Sequence, residues 1–240
     1  MSEQLAQVIR RTFDRGGRVI VPAFSLGRTQ TIIWFLHQLI SARIIDKVPV
    51  VVDSPLAMAA TEVFRMHPEC FDEETSKLLE MQPDLFGQSL VRYVRSVDES
   101  KRLNESRESC VLIAASGMCE SGRIVHHLKA GLPDERNTVL IIGFQAAETL
   151  GRRIVERRPE VRIHGQMTPL RAEVVVMNGF SSHADQGDFE EFLGPLAGRV
   201  GKVRLVHGEP EQAAALEAML RAKGFRDVAY PNRGDVVDFD

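Results

Sequence analysis

The stretch Gly17-Arg18-Val19-Ile20-Val21-Pro22-Ala23-Phe24-Ser25-Leu26-Gly27-Arg28 runs from a glycine through apolar residues to a proline, then into small residues and a cation. A short apolar run bounded in this way reads as a strand buried on both faces. Upstream, Leu5, Val8, Ile9, Thr12 and Phe13 recur at helical spacing, and Gly16-Gly17 supplies the stop that a helix C-terminus favours. Downstream, Ile32, Ile33, Leu36, Leu39 and Ile40 form one apolar face of a helix over 27–40. The alternation then repeats: strand 48–52 ending at Asp53, helix 56–66, strand 110–114, helix 121–130, strand 139–142 and helix 149–156. Such alternation predicts an α/β fold, a predominantly parallel sheet with helices on both faces.

Residues 71–109 are more polar and read as helices and loops around a weak strand at 90–94. At 159–170 the alternation breaks, and a boundary is expected at 170/171. Residues 171–240 then form a further α/β piece, with strands at 173–177 and 203–206, helices at 188–196 and 211–223, and two short terminal strands. About 70 residues is small for an independently stable domain, so this piece reads as part of something larger.

The 240 residues are 44% hydrophobic and 26% charged, which excludes a disordered chain, a collagen and a small disulfide scaffold. Thirty Lys and Arg against 33 Asp and Glu give a formal charge of -3, so any polyanion must be held by a local pocket rather than by a globally basic surface. Cys70, Cys110 and Cys119 are odd in number and show no C-x-x-C spacing, which indicates neither a disulfide framework nor a thiolate zinc site. No apolar run approaches the length of a membrane span, and a soluble, cytoplasmic protein is expected.

Loops directly after strands are where ligands bind in open parallel sheets. Four such loops stand out: 23–28, 53–55, 116–123 and 143–145. Their small residues let backbone amides approach an anion, and Arg28 or Arg123 can make bidentate phosphate contacts; tight-turn glycines with structurally paired arginines are the plainer reading of any one loop. Among seven histidines, the neighbours His126 and His127 point in different directions around a helix and make poor joint ligands. His183 and His207 both follow apolar strands, where a histidine can ligate a metal, shuttle a proton or satisfy a turn.

Together these segments resemble the β-CASP branch of the metallo-β-lactamase superfamily, whose members process RNA. GGRVIVPAFSLGRTQ (16–30) is similar to the opening strand and loop of the β-CASP domain, VLIAASGMCESGR (111–123) to its Ser-Gly-Met loop, and IIGFQAAETLGRR (141–153) to its Gly-Tyr-Gln segment with Phe144 in place of tyrosine. GFSSHAD (179–185) resembles motif B and LVHGEP (205–210) motif C. The resemblance implies a β-CASP domain over 1–170 and the C-terminal part of a metallo-β-lactamase domain over 171–240. It makes His207 a ligand of a two-zinc centre and His183 the group that stabilises the scissile phosphate or protonates the leaving oxygen; Arg28, Ser116, Gly117, Arg123 and Ser182 are the expected RNA and phosphate contacts. A histidine at motif C is closer to the RNA-directed members than to the Artemis-type DNA nucleases.

The same family needs an H-x-H-x-D-H run, and no H-x-H occurs here. The expectation is therefore a substrate-clamping part, inactive alone, with single-stranded RNA, an N-terminal metallo-β-lactamase half and further copies of itself as partners. Two other readings stay open. A non-catalytic RNA- or nucleotide-binding protein on the same fold is one, although G-x-G-x-x-G and the P-loop pattern are absent. A serine hydrolase using Ser116, Asp185 and His207 is the other, although Ala114 and Met118 stand where the nucleophile turn calls for glycines.

Overall fold

The computed structural model describes residues 1–81, 86, 90–180 and 183–238. Two compact units, Met1–Ser181 and Ser182–Asp240, make up the chain.

In the first unit, α1 (Ser2–Asp14) buries Leu5, Val8, Ile9 and Thr12. Gly16 turns the chain at φ 69, and Gly17 passes so close to Arg136 that a Cβ would stand 1.7 Å from its carbonyl oxygen, so no side chain fits there. Alternation follows as β1 (Val19–Pro22), α2 (Arg28–Ser41), β2 (Val50–Asp53), α3 (Pro55–Met66), α4 (Glu73–Met81), β3 (Val91–Tyr93), α5 (Val97–Glu105), β4 (Val111–Ala114), α6 (Arg123–Gly131), β5 (Thr138–Ile141) and α7 (Leu150–Val155). Then come β6 (Glu160–Ile163), β7 (Gln166–Pro169) and β8 (Glu173–Val176).

Six strands form one sheet in the order β3-β2-β4-β1-β5-β8, every neighbouring pair parallel. Val19 of β1 stands opposite both Val111 and Thr138. Alternate residues of a strand face opposite sides. Val19 and Val21, with Val50, Val52, Val111 and Ile113, pack against Leu5 and Ile9 of α1 and Ile32 and Leu36 of α2. Ile20, Val139 and Ile141 pack on the other side against Ile124 and Leu128 of α6 and Ile154 of α7. Both faces of the central strands are thus covered, as their continuous apolar runs predict.

The break at 159–170 is an antiparallel hairpin of β6 and β7, with Glu160 opposite Pro169. His164 and Gly165 take positive φ values of 48 and 76 at its tip, the mirror-image turn that matches the twist of two strands. β8 pairs with β5, Glu173 opposite Thr138, and so extends the large sheet. Packing groups residues up to 181 with the first unit, past the 170/171 boundary expected from the break in alternation, because β8 hydrogen-bonds to β5.

In the second unit, α8 (Gln186–Leu193) starts from a reciprocal cap in which Asp185 and Asp188 each accept the other's backbone N–H. A short 3₁₀ turn at Gly194–Leu196, β9 (Lys202–Arg204), α9 (Pro210–Ala222) and β10 (Asp227–Ala229) follow, with β9 and β10 parallel. Of the two terminal strands expected, β10 is the one that forms among the described residues. Leu220, Phe225 and Val228 are the fully buried centre of this unit. No helix among the described residues is long and apolar enough to cross a membrane.

Candidate functional site

In an all-parallel sheet the C-terminal strand ends share one edge, and the following helices start there. Ser54 caps α3 by accepting the Ala57 N–H at 3.1 Å, and Thr149 caps α7 by accepting the Arg152 N–H at 3.1 Å. α2 and α6 instead begin from Gly27 and Gly122, at φ 78 and 77, with no side-chain cap. The edge thus gathers the positive ends of several helix dipoles and leaves two of them without a side-chain acceptor.

Gln145 organises the loops. Its buried amide donates to the carbonyls of Gly117 at 2.9 Å, Phe144 at 3.1 Å and Gly143 at 3.2 Å. Gly151 makes room for it, since a Cβ there would stand 1.6 Å from Gln145 Oε1. On the other side, a Cβ on Gly117 would lie 2.8 Å from the Phe24 ring. The Ser116-Gly117-Met118 loop is therefore held between Phe24 and Gln145, while the Glu120 carboxylate accepts the N–H of Leu150 at the start of α7. Along this edge Phe24 is 46%, Leu26 67% and Phe144 45% exposed. Ser116 sits in the middle with its hydroxyl oxygen 3.4 Å from the Ser121 backbone N–H that it accepts.

The two arginines expected to hold phosphate differ. Arg28, half-buried at the start of α2, makes no side-chain hydrogen bond or ion pair among the described residues. Arg123 is spent on the fully buried Asp53 at the end of β2, and it also donates to the Val94 carbonyl at 3.2 Å. The second Asp53 oxygen accepts the Ser100 hydroxyl and lies 2.6 Å from His127 Nε2, whose Nδ1 is 2.6 Å from Asn104 Oδ1. Burial pushes the Asp53 pKa up, but the hydrogen bonds from His127, Ser100 and Arg123 outweigh it and hold the carboxyl below its usual range. This cluster ties β2, α5 and α6 together and was not foreseen. The available signal was an aspartate ending a run of buried valines, where an ionised group needs a paired cation.

In the second unit, His183 is exposed and stands two residues before the capping Asp185; Ser182 lies outside the described residues. His207, at φ 63 and exposed, lines a cavity of about 610 Å³ together with Asp185, Phe189, Leu216 and Met219. Among the described residues no group of three or more His, Cys, Asp or Glu side chains is placed to hold a metal ion. His126 and His127 do diverge, the first stacking 4.7 Å from His164 and the second buried on Asp53. Of the residues in the serine-hydrolase reading, Ser116 belongs to the first unit and Asp185 and His207 to the second, where Asp185 caps α8.

The Beta-Casp domain family matches residues 29–154, and the family of Zn-dependent metallo-hydrolase RNA specificity domains matches residues 167–231. The chain is 35% identical over 234 residues to ribonuclease TTHA0252 of Thermus thermophilus, covering 98% of this chain and 53% of that protein. It is 30% identical over 227 residues to the transcription termination factor FttA of Methanosarcina mazei, covering 92% and 36%. With an RNase J-like protein of Methanocaldococcus jannaschii it shares 29% identity over 238 residues, 99% and 54% of the two chains. The chain spans about half the length, or less, of these relatives. A parallel sheet with the Ser-Gly-Met loop clamped at its edge, a matched Beta-Casp domain over more than half the residues and a matched metallo-hydrolase specificity domain after it in the sequence place this chain in the β-CASP metallo-β-lactamase family.

Proposed function

We propose that this chain is the RNA-gripping part of a β-CASP ribonuclease, and that the strand-end edge of the first unit holds single-stranded RNA. The observation that carries this reading is the exposure of Phe24, Leu26 and Phe144 beside an uncommitted Arg28 on one edge. Exposed rings offer stacking platforms that any base can use, and a cation with uncapped helix starts offers contacts to the backbone. Ser116 presents its hydroxyl between those platforms, and Gly117, buried between Phe24 and Gln145, supports it from beneath. Arg123 acts one step back, by holding Asp53 and so the loop that precedes α6.

His183 faces the scissile phosphate or leaving oxygen in this proposal, with Ser182 beside it, and His207 is one donor to a zinc pair. The described residues do not fit a zinc pair by themselves, because they bring no three donors together. The remaining ligands then come from the N-terminal metallo-β-lactamase half that the relatives' greater length leaves room for. Elemental analysis after dialysis should find no stoichiometric zinc pair in this chain alone, and labelled RNA should remain uncleaved.

Anisotropy of a labelled single-stranded RNA at several salt concentrations tests the grip. Arg28→Ala is expected to weaken binding and to lower the salt slope by about one. Arg123→Ala is expected to act chiefly through stability, read as a lower unfolding midpoint. Unchanged affinity and slope in Arg28→Ala would remove the edge from consideration.

A further inference from the structure

A second feature lies behind the first of the strand-end loops. A cavity of about 290 Å³ opens between α2, α3 and the start of α4, lined by Gly27, Gln30, Trp34, Phe35, Phe64 and Phe71. Gln30 is 3% exposed, and its Nε2 donates to the Ser25 carbonyl at 3.2 Å and to Thr61 Oγ1 at 2.9 Å. A carbonyl only accepts, so the amide orientation is fixed, and the other end of that amide, Oε1, is buried with no hydrogen-bond partner. The buried Nε1–H of Trp34 has none either. A buried acceptor and a buried donor left unpaired are each costly, and here both belong to side chains lining one aromatic cavity.

We propose that this cavity receives a nucleobase. Gln30 Oε1 accepts a ring or exocyclic N–H of the base, Trp34 Nε1–H donates to a ring nitrogen or carbonyl oxygen, and the phenylalanine rings cover its faces. Every base carries a donor beside an acceptor on its pairing edge, whereas a purely apolar ligand leaves both protein groups unpaired. An anion is disfavoured at the rim, where the Asp72 carboxylate is held below its usual pKa by the Thr75 backbone N–H. Through the Ser25 carbonyl, Gln30 also braces the loop that bears Phe24 and Arg28. A free nucleoside and one base of an RNA strand present the same chemistry; only the second source rests on the RNA reading above.

Trp34 is the single tryptophan of the chain, so its indole N–H gives one resonance that reports this cavity directly. The protein labelled with ¹⁵N-indole tryptophan is titrated with each of the four ribonucleosides, with ribose 5-phosphate and with a single-stranded RNA oligomer. A saturable shift of the indole resonance is expected with at least one nucleoside and with the oligomer, and none with ribose 5-phosphate. Gln30→Leu should weaken the nucleoside response by about tenfold. Should that variant fail to fold, calorimetry on Trp34→Phe, which keeps a ring and loses the donor, must show the same weakening. No shift with any nucleoside at millimolar concentration would overturn the proposal. RNA bound by anisotropy with an unmoved indole would reject the cavity and leave the strand-end grip standing; a nucleoside shift without RNA binding would do the reverse.

Discussion

Asp53 is the residue on which the first unit turns, because one buried carboxylate answers a guanidinium, an imidazole and a hydroxyl. Asp53→Asn keeps the shape and removes the charge, and breaking a buried pair by one partner costs roughly 3 kcal/mol. Urea unfolding should show that loss at neutral pH. The folded carboxyl titrates below its ordinary value of 3.8, so its contribution is present above that value and is lost as pH falls through the folded value. The stability gap between the native chain and Asp53→Asn should therefore close on acidification; a gap constant down to pH 2 would mean that the charge is not what stabilises. The loops of the candidate site were legible from local chemistry: Arg28 ends the small-residue stretch after β1, and Ser116 and Gly117 lie in the one after β4. That an arginine here is structurally paired was the plainer reading, but the partner of Arg123 was not legible, since it sits 70 positions away and pairing across such a separation leaves no local pattern.

Elements with continuous apolar runs were readable almost to their ends, since β1, β2, β4 and β5 are buried at every position. The β6–β7 hairpin escaped because its tip is His-Gly rather than the usual Asn-Gly or Asp-Gly, and because β7, Gln-Met-Thr-Pro, buries only Thr168 and so carries no alternating pattern. At the element scale the proposed grip rests on three loops packed together, Phe24 against Gly117 and Gln145 holding Gly117 from behind. Phe24→Ala and Phe144→Ala should each weaken single-stranded RNA binding by about 1 to 3 kcal/mol, the usual worth of a stacked base. Both rings are nearly half exposed, so thermal unfolding midpoints should move little. Binding lost in step with stability would show instead that the rings hold the fold.

At the scale of the whole molecule, the two units differ in how well they are filled. The first has apolar layers on both faces of its sheet, while the second centres on Leu220, Phe225 and Val228 and leaves Phe192 75% and Val206 65% exposed. Amide exchange should accordingly be faster through Ser182–Asp240 than through β1, β4 and β5, and slower at high protein concentration if copies cover that surface. Uniform, concentration-independent protection would show the second unit to be complete by itself. The order β3-β2-β4-β1-β5-β8 has one more consequence, which concerns time rather than contact. β1 is made early, yet both its neighbours come late: β4 follows only after four more helices and two strands, and β5 later still. A ribosome that has released α1 through α5 thus holds out a strand of four buried residues that can rest on α1 and α2 but has neither of its strand neighbours to pair with, so its hydrogen bonds wait for β4 and β5 while the sheet ends its growth at the β8 edge.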